Sequence, residues 1–171
     1  MNIPLKPSLL KIRRRPIKYI ILHHTRELYP QSDLVLDNPK FQMKSLYNAV
    51  LEDKTPDINY NFVIEEVKKE VFVYMTRPFV YLCEWDDISD DINNAAIHIA
   101  FLGSYDLKIP SPRMYEIAAF RVISPFLKAY GLPTKRILLH SEVSNSEDVT
   151  CPGVFFSKNI IISMAKRYLV K

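Results

Sequence analysis

The chain has two cysteines in 171 residues, too few for a disulfide framework, and neither sits in a Cys-x-x-Cys pair of the kind that marks closed structural zinc modules. No apolar run approaches the roughly 18 residues of a membrane span. There is no Gly-x-Ser-x-Gly segment, so the nucleophile elbow of the serine hydrolases is missing. No internal repeat or low-complexity segment breaks the chain. The first 20 residues carry no acidic side chain. The start, Met1 to Pro7, also lacks the continuous apolar core and small-residue cleavage site of a secretory signal. The expectation is a chain made in the cytoplasm without such a signal. A substrate outside the inner membrane would then be reached after release by lysis, by delivery through another machine, or from within a virion.

Against these absences stands an ordinary globular composition, 48% hydrophobic and 25% charged, long enough for one domain that buries about 70% of its unfolded surface. The net charge of +4 is unevenly spread. Lys6, Lys11, Arg13, Arg14, Arg15 and Lys18 all fall in the first 20 residues, so the remainder is net negative. We read residues 1–16 as a basic arm and 17–171 as the domain. Without interleaved aromatics or a nucleic-acid fold, the arm reads as a solvated lead-in and no nucleic-acid partner is expected; docking to a protein partner or a larger assembly is the other role open to it. Five carboxylates between Glu84 and Asp91 read mainly as a solvated loop.

Residues 18–24 are apolar at both parities, as in a strand covered on both faces. Asn38 and Pro39 suit the start of a helix reaching about Leu51. Residues 59–65 and 70–76 form a predicted hairpin, and 95–102 a buried strand stopped by Gly103. Ser111 opens a long helix, kinked at Pro125 and ended by Gly131-Leu132-Pro133. A strand over 136–140 and a helix over 153–168 complete the chain. The fold class is α/β: a single domain with a central mixed sheet flanked by helices.

Two predicted strands end in histidine, one at His23-His24 and one at His140, and Cys151 precedes Pro152-Gly153. Two imidazoles and a thiolate form a zinc-ligand set with one coordination position open, the pattern of catalytic rather than structural sites. Alternation alone does not choose between His23 and His24, since Ile21 and Leu22 are equally apolar. His98, inside a buried strand, reads as a hydrogen-bonded core residue. Both cysteines read as free thiols.

In order along the chain, Lys18-Tyr-Ile-Ile-Leu-His-His-Thr25, Ile58-Asn-Tyr-Asn-Phe-Val-Ile64, the segment from Asn93 to Gly103, Ile137-Leu-Leu-His-Ser-Glu-Val143 and Cys151-Pro-Gly153 together resemble the zinc-dependent N-acetylmuramoyl-L-alanine amidases. That is the type shared by peptidoglycan recognition proteins and T7-like phage lysozymes, and the likeness spans about residues 17–165. The resemblance implies Zn2+ held by His23, rather than His24, with His140 and Cys151. It implies Tyr60 as the tyrosine that orients water or stabilises the oxyanion. The implied substrate is the muramyl peptide of peptidoglycan, cleaved at the lactyl-L-alanine amide.

The resemblance also has gaps. Val149 stands where many active members carry lysine or threonine, with Thr150 one residue on. Ala100 stands where one bacterial branch has a glutamate. The region of Cys83, Glu84 and Trp85 replaces a frequent histidine, and Trp85 suits either the glycan groove or the core edge. The alternative expectation is therefore an amidase-fold protein that binds peptidoglycan, or serves in an assembly, without turnover.

Overall fold

The computed structural model describes residues 7–26 and 58–170, with Met43, Leu46 and Asn48 between them. Five strands form one mixed sheet: β1 Tyr19–His24, β2 Phe62–Val67, β3 Glu70–Met75, β4 Ala96–Phe101 and β5 Ile137–Leu139. Their spatial order is β3-β2-β4-β1-β5. Strand β4 runs parallel to both β1 and β2, β5 is parallel to β1, and β2 and β3 form the antiparallel hairpin. The hairpin turn is tighter than the sequence suggests. Glu66 and Val67 stay in the ladder and only Lys68 and Lys69 turn, both at positive φ.

Every residue of β4 is buried, as is every residue of β1 after Tyr19, which follows from a sheet covered on both sides. On one face Ile20, Leu22, Ile97, Ile99 and Phe101 pack with helical residues such as Met114, Ile123 and Ile161. These helices are α1 Pro112–Ala118, continued by a π-helical segment Ala119–Ile123 into α2 Ser124–Ala129, and α3 Lys158–Leu169. The Ser111 hydroxyl accepts from the Met114 N–H and caps α1. The predicted break at Pro125 takes the form of the π-helical segment just before it, which rearranges the backbone bonding where proline has no N–H to give.

The last helix starts at Lys158, five residues after the expected point. Gly153 adopts φ +110, and a Cβ there would stand 2.3 Å from the Tyr105 carbonyl carbon. Residues 151–156 are therefore turn, docked on Tyr105, before the Ser157 hydroxyl caps the helix. The helix expected over 38–51 lies mostly outside the described residues; Met43, Leu46 and Asn48 are helical.

The opposite face carries Tyr60, Val63, Ala100 and Leu102 in one cluster and Ile21, Ile88 and Ala96 in another, with Trp85 packed against both. On this side Glu65 is 0% exposed. One of its carboxylate oxygens accepts the Tyr74 hydroxyl at 2.9 Å and the other is buried without a partner. Burial raises its pKa to about 7. The described part of the basic segment is not free in solvent. Arg13 donates to the carbonyls of Phe79, Tyr81 and Asn94, and Lys11 and Arg15 pair with Glu84 and Asp91.

Candidate functional site

Parallel pairing sets His23 beside Ala100 at the C-terminal end of β1, where strands of an open sheet hand side chains to a crevice. His140 follows β5 and opens a 3-10 turn, His140–Glu142. The Ser141 N–H donates to the Cys151 carbonyl at 2.9 Å, which ties the cysteine loop to the histidine turn. Among the described residues, His23, His140 and Cys151 form a group able to hold a metal ion, all three buried and with one ligand atom from each within 4.8 Å of the others. Tetrahedral zinc needs its nitrogen and sulfur ligands about 3.3–3.6 Å apart. His23 Nδ1 already lies 3.8 Å from Cys151 Sγ.

The donor chemistry fits a cation as well. His140 Nδ1 is buried and has no hydrogen-bond partner, an orphaned nitrogen that a metal would satisfy. Burial, reinforced by His98, His140 and His24, pulls the His23 pKa well below the usual value, so its ring is neutral. Burial lowers that of His140 too, against the pull of Asp87. The Cys151 thiol is pushed up to about 12 by burial, opposed by the His24 N–H, so a metal would have to displace its proton.

His24 is occupied elsewhere. Its Nδ1 accepts from the Tyr105 N–H at 3.2 Å, which puts the hydrogen of the neutral ring on Nε2, 3.1 Å from Arg26 Nε and 3.9 Å from Asp106 Oδ2. His24 thus faces Tyr105, Arg26 and Asp106, and His23 is the histidine of the pair that stands with His140 and Cys151.

The site opens into a cavity of about 310 Å³ lined by His24, Thr25, Arg26, Tyr60, Trp85, Asp87, His140, Val149 and Cys151. The Tyr60 hydroxyl donates to the His24 carbonyl at 3.4 Å. Trp85 stacks on His23, with ring centroids 4.6 Å apart, so it covers the core edge and lines the cavity at once. Val149 brings no polar group to its wall. Thr150 does not stand in for it, because its hydroxyl donates to Asp106 at 3.2 Å instead. Ala100 is buried in the apolar cluster under Tyr60. Arg26 supplies the cavity with a guanidinium, held at φ +57.

Three contributors were not singled out by sequence. Asp87 Oδ2 approaches His140 Nε2 to 2.9 Å, although the angle is not that of an aligned hydrogen bond. It was hidden among five similar carboxylates. His98 was expected to be a satisfied core residue. Its Nδ1 lies 2.9 Å from His23 Nε2, while its own Nε2 is buried and unpartnered. Arg26 follows the histidine pair, but nothing in its neighbours foretells its entry into the cavity.

The family profile of N-acetylmuramoyl-L-alanine amidases matches residues 13–154, well over half of the chain. The chain belongs to this family. The amidase-type fold is shared with solved structures at low identity. The N-acetylmuramoyl-L-alanine amidase LysC from Clostridium intestinale is 18% identical, with a TM-score of 0.64 over 88% of this chain and 85% of that one. The endolysin of Thermus scotoductus bacteriophage Ph2119 is 22% identical, with a TM-score of 0.63 over 92% and 90%. A variant of Drosophila PGRP-LB in complex with tracheal cytotoxin is 22% identical, with a TM-score of 0.63 over 88% and 83%. A search of curated protein sequences gives no match. Among the described residues of this amidase-family chain, no helix is long and apolar enough to cross a membrane.

Proposed function

We propose that the chain is a zinc-dependent hydrolase of the N-acetylmuramoyl-L-alanine bond of peptidoglycan, with His23, His140 and Cys151 as ligands. The observation that carries this reading is the cluster itself: two imidazoles and a thiol converge to within 4.8 Å, His140 and Cys151 face one cavity, and the buried His140 Nδ1 lacks any other partner. Zinc bound there would acidify a water molecule towards neutral pH and polarise the scissile carbonyl.

The protein's own groups do the rest. The Tyr60 hydroxyl lines the cavity beside the cluster and orients the attacking water or donates to the oxyanion as it forms. Trp85 walls the site and limits water around His23. Arg26 presents a cation to the anionic groups of a muramyl peptide. The products are the glycan lactyl carboxylate and a free L-alanyl amine. Such a protein acts as a lysin, reaching the wall after release, by delivery or from a virion. Because Lys11, Arg13 and Arg15 are held by the domain, a protein partner docking on residues 1–16 would find much of their charge already engaged.

The second reading is an amidase-fold binder without turnover, favoured by the apolar Val149 in the cavity wall. One experiment separates the two: zinc content of the purified protein, measured with release of L-alanyl peptides from peptidoglycan, with and without chelator. Stoichiometric zinc with chelator-sensitive release supports the hydrolase. Zinc without release, on walls of both lysine and diaminopimelate type, selects the binder. A protein that takes up no zinc refutes the site.

A further inference from the structure

The His23 ring meets Cys151 through Nδ1 and His98 through Nε2. Strands β1 and β4 pair with Ile21 opposite His98 and His23 opposite Ala100, so the two rings meet diagonally on the same face of the sheet. Their neighbours on β4 at this face, Ala96 and Ala100, are small and leave room for both rings. The backbone of His98 is clamped on the side away from β1. Its N–H donates to Asn61 Oδ1 at 2.9 Å and its carbonyl accepts from the Asn61 N–H at 2.9 Å.

The bond between the two rings can run in either direction with the heavy atoms in place. In one, His98 Nδ1–H donates to His23 Nε2. The neutral His23 then carries its hydrogen on Nδ1, aimed at Cys151, and offers no lone pair to a cation. In the other, His23 Nε2–H donates to His98 Nδ1, and His23 Nδ1 presents its lone pair to the site. The second arrangement leaves the remaining hydrogen of His98 on Nε2, the buried atom without a partner. A fully buried imidazole with one nitrogen committed to a ligand histidine and the other stranded is an expensive core residue.

We propose that His98 is a positioning residue for the metal centre: as the acceptor for His23 Nε2–H, it holds His23 in the tautomer whose Nδ1 can bind zinc. Partners of this kind fix both the tautomer and the ring angle of ligand histidines, and here a second imidazole fills a place more often taken by a carboxylate or a carbonyl. Loading the site therefore selects one direction of a two-way hydrogen bond buried behind it. The inference rests on His23 being a metal ligand, as proposed above.

The test uses the whole chain and zinc alone. His98→Leu removes the acceptor at similar volume and is expected to weaken zinc binding about 10- to 100-fold in chelator competition; His98→Asn, which returns an oxygen near the Nδ1 position, should recover most of that loss. In the unaltered, zinc-loaded protein, nitrogen-15 imidazole spectra should show hydrogen on Nε2 of both His23 and His98. This second measurement decides the matter if the leucine variant does not fold. Zinc binding by folded His98→Leu equal to that of the parent, or hydrogen on Nδ1 of His98 in the loaded protein, overturns the inference while leaving the metal site intact. A parent chain that binds no zinc overturns the metal site, and the inference with it.

Discussion

Asp87 Oδ2 stands 2.9 Å from His140 Nε2 and accepts the Ser144 hydroxyl at 2.6 Å. The carboxylate is thus fixed from one side while it faces a ring whose other nitrogen is free for a metal. Burial pushes its pKa up, but Ser144 and His140 outweigh that and keep it below the usual value. Asp87 is therefore ionised where it meets His140. Asp87→Ala is expected to weaken zinc binding about 10- to 100-fold with the fold retained, since carboxylates behind histidine ligands raise their basicity and fix their orientation. Chelator competition and circular dichroism check the two halves of this expectation.

The proposed ligands and Tyr60 should separate cleanly. His140→Ala and Cys151→Ser should strip or strongly weaken the metal. Tyr60→Phe should keep zinc and lose roughly 100- to 1,000-fold in turnover, the scale for removing one oxyanion donor. A Tyr60→Phe variant as fast as its parent would show that the hydroxyl has no part in the chemistry.

Val149 lines the cavity without a donor. Val149→Lys or Val149→Thr should raise peptide release if the missing polar group limits the rate, with zinc content unchanged. An equal or lower rate in both would place the limiting step elsewhere.

Glu65 makes stability depend on pH. Its carboxyl titrates near 7 in the folded chain against an ordinary 4.5, so between these values the folded chain holds a proton that the unfolded chain has released. Stability therefore falls as pH rises from about 4.5 to about 7 and is level beyond, by up to about 3 kcal/mol. Glu65→Gln should flatten that slope and leave the variant more stable relative to the parent at pH 8 than at pH 5. Urea unfolding of both proteins at the two pH values measures the difference.

Arg13 bonds four carbonyls of the segment 79–94, those of Phe79, Tyr81, Asn93 and Asn94. Arg13→Ala should cost about 2 kcal/mol of stability, because carbonyls that are mostly part-buried lose a charged donor. An unfolding midpoint unchanged from the parent would return the segment to the role of a solvated lead-in.

The sequence by itself determined the strands, the order of the motifs, and His140, Cys151 and the His23-His24 pair as the candidate ligands. Apolar runs at both parities require a sheet covered on both faces. Histidine at the end of such a run falls at a rim, and thiol and imidazole are the groups that bind zinc. The helix start at Lys158 was missed because Gly153 answers to a backbone 48 residues away, at Tyr105, a contact no local window contains. Only the tertiary structure set His23 rather than His24 beside His140 and Cys151, because alternation permits either. The distinguishing fact is that His23 stands with His140 and Cys151, whereas His24 Nδ1 accepts the Tyr105 N–H. It also drew Asp87 out of an acidic run and set His98 behind His23. Those roles depend on distances between strands and loops far apart in the chain, and such distances are fixed by packing.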